Sequence, residues 1–285
     1  MCHGCRNTIH LISMKSSSKC IIISDIHNRI YWIEDFLKNT PHDKVVFLGD
    51  YFDSFYDTPD IAEKTARWLK YSLSISNRVH LYGNHDCPYA RSMNEFARCP
   101  GFDHDKNRRI NHILDRNDWN KLKFVEVEQN WLLSHAGAHP SIFSHPIHGP
   151  SLEWIVEYCN QGMEAFNSNI PHPVYQYSAA RGMSRTHDVG GINWLDWNHE
   201  FVAIENVNQI VGHTICTKWV PVSPIEHSEQ SNPNFHAKVE VFMSEPKTKF
   251  SINSKNWNID CNNKIIGIIE NGEFSWIPNT HNKLK

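Results

Sequence analysis

Short β-branched apolar runs, each ending in Asp, His, Asn or Gly, constrain this chain more than any other feature. Cys20–Ser24 reads CIIIS and is followed by Asp25-Ile26-His27. Lys44–Leu48 (KVVFL) leads into Gly49-Asp50-Tyr51-Phe52-Asp53, and Arg78–Tyr82 (RVHLY) into Gly83-Asn84-His85-Asp86. Two later runs, Trp131–Ser134 and Gln209–Gly212, lead into His135-Ala136-Gly137 and His213-Thr214. Runs of this length and composition predict buried strands. Between the second and third lies a helical pattern, with Thr58 as N-cap, Pro59 at the first position, and Ile61, Thr65, Trp68, Leu69 and Leu73 at helical spacing. Strand and helix in alternation predict an α/β fold. In such sheets the carboxyl ends of strands form the ligand crevice, so the polar clusters are expected to converge there.

The rest of the chain completes the outline. Lys238–Phe242, Ile265–Ile269 and Phe274–Ile277 read as strands, with Asn271-Gly272 as a hairpin turn. The stretch from 139 to 199 is rich in His, Pro, Asn and Trp, with one helix around Leu152–Phe166, and reads as an insertion forming a rim or lid. The expected organisation is a flexible segment over 1–18 and a single domain over 19–285.

Composition excludes several classes. A chain of 285 residues can bury its own core without staples. No apolar stretch approaches the roughly 20 residues of a membrane span, and a net charge of −3 offers no groove for a long nucleic acid. The eight cysteines are scattered and no Asn-x-Ser/Thr sequon occurs, which predicts free thiols in a reducing, cytoplasmic compartment, with export into another cell left open. Cys2 and Cys5 form a CxxC without a second pair at zinc-site spacing, and are not expected to bind metal. Imidazole and carboxylate without thiolate suit divalent manganese, iron or zinc.

The motifs D-x-H, G-D-x-x-D, G-N-H-D, H-x-G and G-H, in this order over about Lys19 to Ile277, resemble the calcineurin-like metallophosphoesterases. Each motif alone is weak, and an isolated His27 or Asp25 would be a core histidine or a helix cap; five in order make the resemblance specific. It implies a sandwich of two mixed β-sheets flanked by helices. It also implies two divalent metal ions, with manganese expected first and iron, zinc or nickel as alternatives. Asp50 would bridge them; Asp25 and His27 would complete one site, and Asn84, His135 and His213 the other. A hydroxide between the metals would attack phosphorus in line, with His85 as general acid and Asp53 orienting it. Asp86 reads equally as a cap or as support for the ligands.

The ending Gly212-His213-Thr214-Ile215, without a second histidine, is similar to the serine/threonine protein phosphatase-like branch in its bacterial and phage form. Asn258-Ile259-Asp260-Cys261 resembles the closing segment of that branch, with Asp260 structural. Members commonly carry an arginine after the second motif aspartate, where this chain has Ser54. Arg181 is the expected substitute for binding substrate phosphate, together with Asn84; Arg109, Arg91 and Arg185 are weaker alternatives. His139, His145 and His148 read as rim residues and Trp194 and Trp197 as packing. The implied activity is phosphomonoester hydrolysis, on a phosphoprotein or a small monoester. The alternatives are hydrolysis of a nucleotide anhydride or diester such as a dinucleoside polyphosphate, and a non-catalytic scaffold.

Overall fold

A computed structural model describes residues 18–54, 57–91, 98–143, 149–182, 188–221 and 238–281. The first half runs β1 (Lys19–Ile23), α1 (Ile33–Asn39), β2 (Lys44–Phe47), α2 (Pro59–Ser72), β3 (Arg78–His80), α3 (Cys87–Ala90), α4 (His104–Ile113) and α5 (Arg116–Trp119). Next come β4 (Val125–Glu128), β5 (Trp131–Ser134), α6 (Leu152–Asn167), β6 (Asn208–Val211), β7 (Thr217–Pro221) and β8 (Lys238–Phe242). The chain closes with β9 (Lys247–Ser251), β10 (Ser254–Asn258), β11 (Ile265–Glu270) and β12 (Glu273–Pro278).

Two mixed five-stranded sheets result, ordered β12-β11-β1-β2-β3 and β4-β5-β6-β10-β9, with β7 and β8 as a separate ribbon. In each sheet three neighbouring strands are parallel: β1, β2 and β3 in one, β5, β6 and β10 in the other. Strand alternation divides their side chains between two cores. Ile21, Ile23, Val45 and Phe47 face α1 and α2, packing with Ile33, Phe36, Ala66 and Leu69. Ile22, Val46 and Leu48 pack with Trp131, Leu133 and Ile210 of the second sheet. Both faces are covered, which is why these strands read as continuous apolar runs. Among the described residues no helix is long and apolar enough to cross a membrane.

Local signals hold. The Thr58 hydroxyl accepts from Ile61 N, and Pro59 opens α2, although Ile61 itself stays exposed. Asn271 and Gly272 both take positive φ, as a two-residue hairpin turn requires. The stretch expected as a rim also feeds the core: Ile155, Cys159 and Phe166 of α6 are buried in the cluster that contains Tyr82 and Phe124. The reading of residues 1–18 as flexible falls, apart from Ser18, outside the described residues.

His80, the last residue of β3, is a buried polar group outside the ligand clusters. Its Nδ1 meets the Tyr51 hydroxyl at 3.0 Å, its Nε2 the Ser72 hydroxyl at 2.9 Å, and its ring stacks on Phe47. Burial lowers its pKa from 6.5 to about 3, so the folded protein holds it neutral while the unfolded chain protonates as pH falls. A depressed histidine therefore costs stability below pH 6.5. Between pH 7 and pH 5 the loss is about 2 kcal/mol for this one group. Urea unfolding of wild type and His80→Gln at both pH values should show the wild type losing that much more; parallel losses would dismiss the assignment.

Candidate metal centre

The C-terminal ends of the parallel strands meet along one edge. Asp25 and His27 follow β1, Asp50 and Asp53 follow β2, and Asn84 and His85 follow β3. His135 follows β5 and His213 follows β6. Asp25, His27, Asp50, Asp53 and His213 all take positive φ, a conformation that non-glycine residues rarely adopt and that turns each side chain sharply off its strand. Two ligand groups form, Asp25 with His27 and Asp50, and Asp50 with His135 and His213, each with its ligand atoms within 4.8 Å of one another. Asp50 belongs to both.

The hydrogen bonds at the edges of these groups show what the centre can hold. His135 Nδ1 lies 2.9 Å from the Leu48 carbonyl and His27 Nδ1 lies 2.9 Å from that of Phe52. Each Nδ1 must therefore carry the proton, which leaves each Nε2 with a lone pair. His135 Nε2 points at the Asn84 carboxamide oxygen at 2.9 Å and at Asp50 Oδ2 at 3.4 Å; His27 Nε2 faces the same Oδ2 at 3.6 Å. Acceptors converging on acceptors repel unless a cation lies among them. The donor set fits divalent ions, and the carbonyl bonds are the outer contacts that orient metal-binding imidazoles. Burial lowers the pKa of His135 to about 3, and burial followed by the neighbouring His85 lowers that of His27 to about 4, so both are neutral and free to ligate near pH 7. Burial, reinforced by Asp260 at Asp25 and by Asp25 at Asp50, pushes both carboxyl groups well above the usual range. Such a cluster ionises together only around positive charge.

His85 stands beside this centre, its ring centroid 5.3 Å from that of His27. Its backbone N–H donates to Asp50 Oδ1 at 2.9 Å, and its Nδ1 lies 3.1 Å from Asp53 Oδ2. The hydrogen bond leaves Nε2 as the atom available for chemistry. Asn84 donates its amide to Cys99 Sγ at 3.2 Å, which turns its oxygen toward His135.

Arg181 lies next to His213 but is tied down. Its Nε pairs with Asp196 at 2.9 Å, and its Nη2 donates to Thr214 Oγ1 at 2.7 Å and to the His213 carbonyl at 3.4 Å. Arg109 pairs with Asp60 and Glu63 of α2, and Arg91 lies over Phe166 and bonds Asn120. Neither is among the groups that contact the centre. His139 bonds Ser141, while Arg185, His145 and His148 lie outside the described residues. Trp194 and Trp197 are buried, packed against Tyr177 and Phe201.

Of the supporting residues, Lys106 and Tyr89 carry no role in the sequence reading, Asp86 reads equally as a cap or as support, and Asp260 reads as structural. Asp86 does not cap α3; its carboxylate accepts from the N–H groups of Asp50, Tyr51 and Gly83, each at 2.8 Å, and so locks two strand ends together. Asp260 follows β10, the third parallel strand of the second sheet, and is buried close enough to Asp25 to raise its pKa. Lys106 and Tyr89 both reach Asp53. Two glycines are fixed by close approach. A Cβ at Gly212 would lie 2.1 Å from Asp25 Oδ2, and one at Gly83 2.0 Å from Asp50 Oδ1. We expect Gly212→Ala to lower metal affinity by at least the roughly 10–100-fold that attends loss of an outer contact. Metal titration by calorimetry checks this, and wild-type affinity would show that the loop yields.

The fold and the site define a class: paired mixed α/β sheets carrying a carboxylate–imidazole–carboxamide cation cradle at the carboxyl ends of their parallel strands. A model of the calcineurin-like phosphoesterases matches residues 18–217, most of the chain, and the protein belongs to that family. Among solved structures it is similar to a cold-active protein-tyrosine phosphatase of a psychrophilic Shewanella species, at 14% identity and a TM-score of 0.50, covering 91% of this chain and 77% of that one. A metallophosphoesterase from Sphaerobacter thermophilus is also similar, at 14% identity and a TM-score of 0.42, covering 92% and 88%. At such identity the likeness to the Shewanella phosphatase speaks to fold alone. No curated protein matches.

Proposed function

We propose that the protein is a dinuclear metal-dependent phosphatase that hydrolyses phosphomonoesters. The observation that carries this reading is the His85–Asp53 pair set directly beside two ligand groups that share Asp50. When bound, two divalent cations lower the pKa of water and neutralise charge on the phosphoryl group. Asp25, His27 and Asp50 hold one, and Asp50, Asn84, His135 and His213 the other. Asp53 accepts from His85 Nδ1 and so presents Nε2 to the leaving-group oxygen, where the imidazolium gives up its proton. In this reading Arg181, which lies beside His213 and is paired with Asp196 and Thr214, is the candidate for the phosphoryl oxygens, together with Asn84.

The Gly212-His213-Thr214 ending supports the protein phosphatase-like branch, and so a phosphoprotein or small monoester as substrate. Manganese is the first metal to test. The described cysteines are all free, which suits a reducing compartment. The test is a panel for the manganese-loaded protein: p-nitrophenyl phosphate, its bis diester, phosphoserine, phosphothreonine and phosphotyrosine peptides, and diadenosine tetraphosphate. Monoester hydrolysis is expected. Turnover of the diester or the tetraphosphate alone would replace this reading with the anhydride or diester one. No turnover with two metals bound would favour a scaffold.

A further inference from the structure

Lys106 has no place among the metal ligands, yet it is one of the most buried charges in the chain, 3% exposed. It sits in the first turn of α4, where the helix dipole disfavours a cation, so its position must be held by carboxylates. Its ammonium lies 2.8 Å from Asp53 Oδ1 and 3.0 and 3.1 Å from the two Asp57 oxygens. The Tyr89 hydroxyl donates to the same Asp53 Oδ1 at 2.6 Å, and Asn28 donates to Asp57 Oδ2 at 2.8 Å. Gly101, at a φ of +98°, closes the other side: a Cβ there would stand 3.0 Å from Asp53 Cβ. One oxygen of Asp53 is thus saturated by two donors, and only Oδ2 remains to face His85.

We propose that Lys106, assisted by Tyr89, is a positioning residue that fixes the Asp53 carboxylate in the one orientation that aims His85 at the leaving-group oxygen. The proposal rests on the phosphatase reading. The ion pair does what a neutral hydrogen bond would do less well, because charge-assisted bonds are shorter, stronger and more directional. Without the ammonium, the Asp53 carboxylate can rotate and the imidazole loses its fixed partner. That loss falls on protonation of the leaving group, not on binding of the phosphoryl group.

The test compares wild type, Lys106→Met, Lys106→Arg and Tyr89→Phe, all manganese-loaded, on p-nitrophenyl phosphate, phenyl phosphate and a phosphoserine peptide. p-Nitrophenolate leaves with little help from an acid; phenolate and the serine alkoxide need it. For Lys106→Met we expect kcat to fall about 30-fold on the latter two and less than about 3-fold on p-nitrophenyl phosphate, short of the roughly 10²–10⁴-fold that loss of the acid itself would cost, with KM nearly unchanged. Lys106→Arg should recover most of this, and Tyr89→Phe should show the same pattern at about a tenth of the size. Equal losses on all three substrates, or none, would reduce Lys106 to a structural ion pair. A second readout needs no turnover. The His85 Nδ1–H signal in nitrogen-15 imidazole spectra of the metal-free protein should be protected in wild type and exchange rapidly in Lys106→Met. Its persistence in the variant would overturn the proposal. If Lys106→Met does not fold, Lys106→Met with Asp57→Asn restores the charge balance and takes its place. Should wild type hydrolyse nothing in the panel, the phosphatase reading fails, and the imidazole spectra still decide the positioning.

Discussion

Asp50→Asn should remove the second metal and leave little activity at any metal concentration. Asp50 is the one residue present in both ligand groups. Its Oδ2 faces the unprotonated Nε2 atoms of His135 and His27, and its Oδ1 accepts from His85 N. Asparagine deletes the charge and can present an amide N–H where the geometry calls for an acceptor. Metal affinity should fall by more than the roughly 10–100-fold that outer-contact substitutions cost. The metal-to-protein ratio, read by elemental analysis after gel filtration, should drop from two to one or below. Thermal unfolding supplies the opposite sign. Metal-free wild type holds Asp50 in a buried site where burial, reinforced by Asp25, raises its proton affinity, so Asp50→Asn should raise the metal-free Tm while abolishing the increment that metal gives. A variant that still bound two metals would remove Asp50 from the bridging position.

The ligand positions were legible because they come directly after strands that announce themselves. The runs at Ile21–Ile23, Val45–Phe47 and Leu132–Leu133 are buried on both faces, so hydrophobicity alone marks them, and the fold dictates that the residues at their carboxyl ends converge. β10 defeats the same reasoning. Its sequence SKNWN buries Ser254, Asn256 and Asn258 and leaves Lys255 exposed and Trp257 half-buried, an inversion of the usual alternation. The inward asparagines donate to main-chain carbonyls, Asn258 to Thr214 O at 2.6 Å and Asn256 to Lys249 O at 2.9 Å. Such bonds offset part of the cost of burying an amide, and no periodicity records them. With β10 hidden, Asp260 reads only as a structural residue of a closing segment. It lies instead at the end of a parallel strand, on the same edge as the ligands.

Lys106 was illegible for a different reason. It is 53 positions from Asp53 and lies on a helix whose other residues are mostly polar, so nothing local separates it from a solvated surface lysine. Only the packing of α4 against α2 and α3 brings it inside. Asp86 lay between these cases: its place in the third motif drew attention, but the three N–H groups it collects come from two different strand ends.

His85→Asn should leave the metals in place and remove the acid. The side chain of His85 is absent from both ligand groups, so elemental analysis should still find two metals per chain. A general acid contributes on the order of 10²–10⁴-fold, and the loss should approach the upper end for phosphoserine, whose alkoxide is a poor leaving group, and fall well below that range for p-nitrophenyl phosphate, whose leaving group needs little help. Asp53→Asn should reproduce the pattern more weakly, because it preserves an oxygen for Nδ1 yet removes the charge that both His85 and Lys106 contact. KM should change little in either variant, since neither side chain is assigned to the phosphoryl oxygens. Loss of one metal in His85→Asn would move this histidine into the ligand set. Undiminished turnover of phosphoserine would take proton donation away from it.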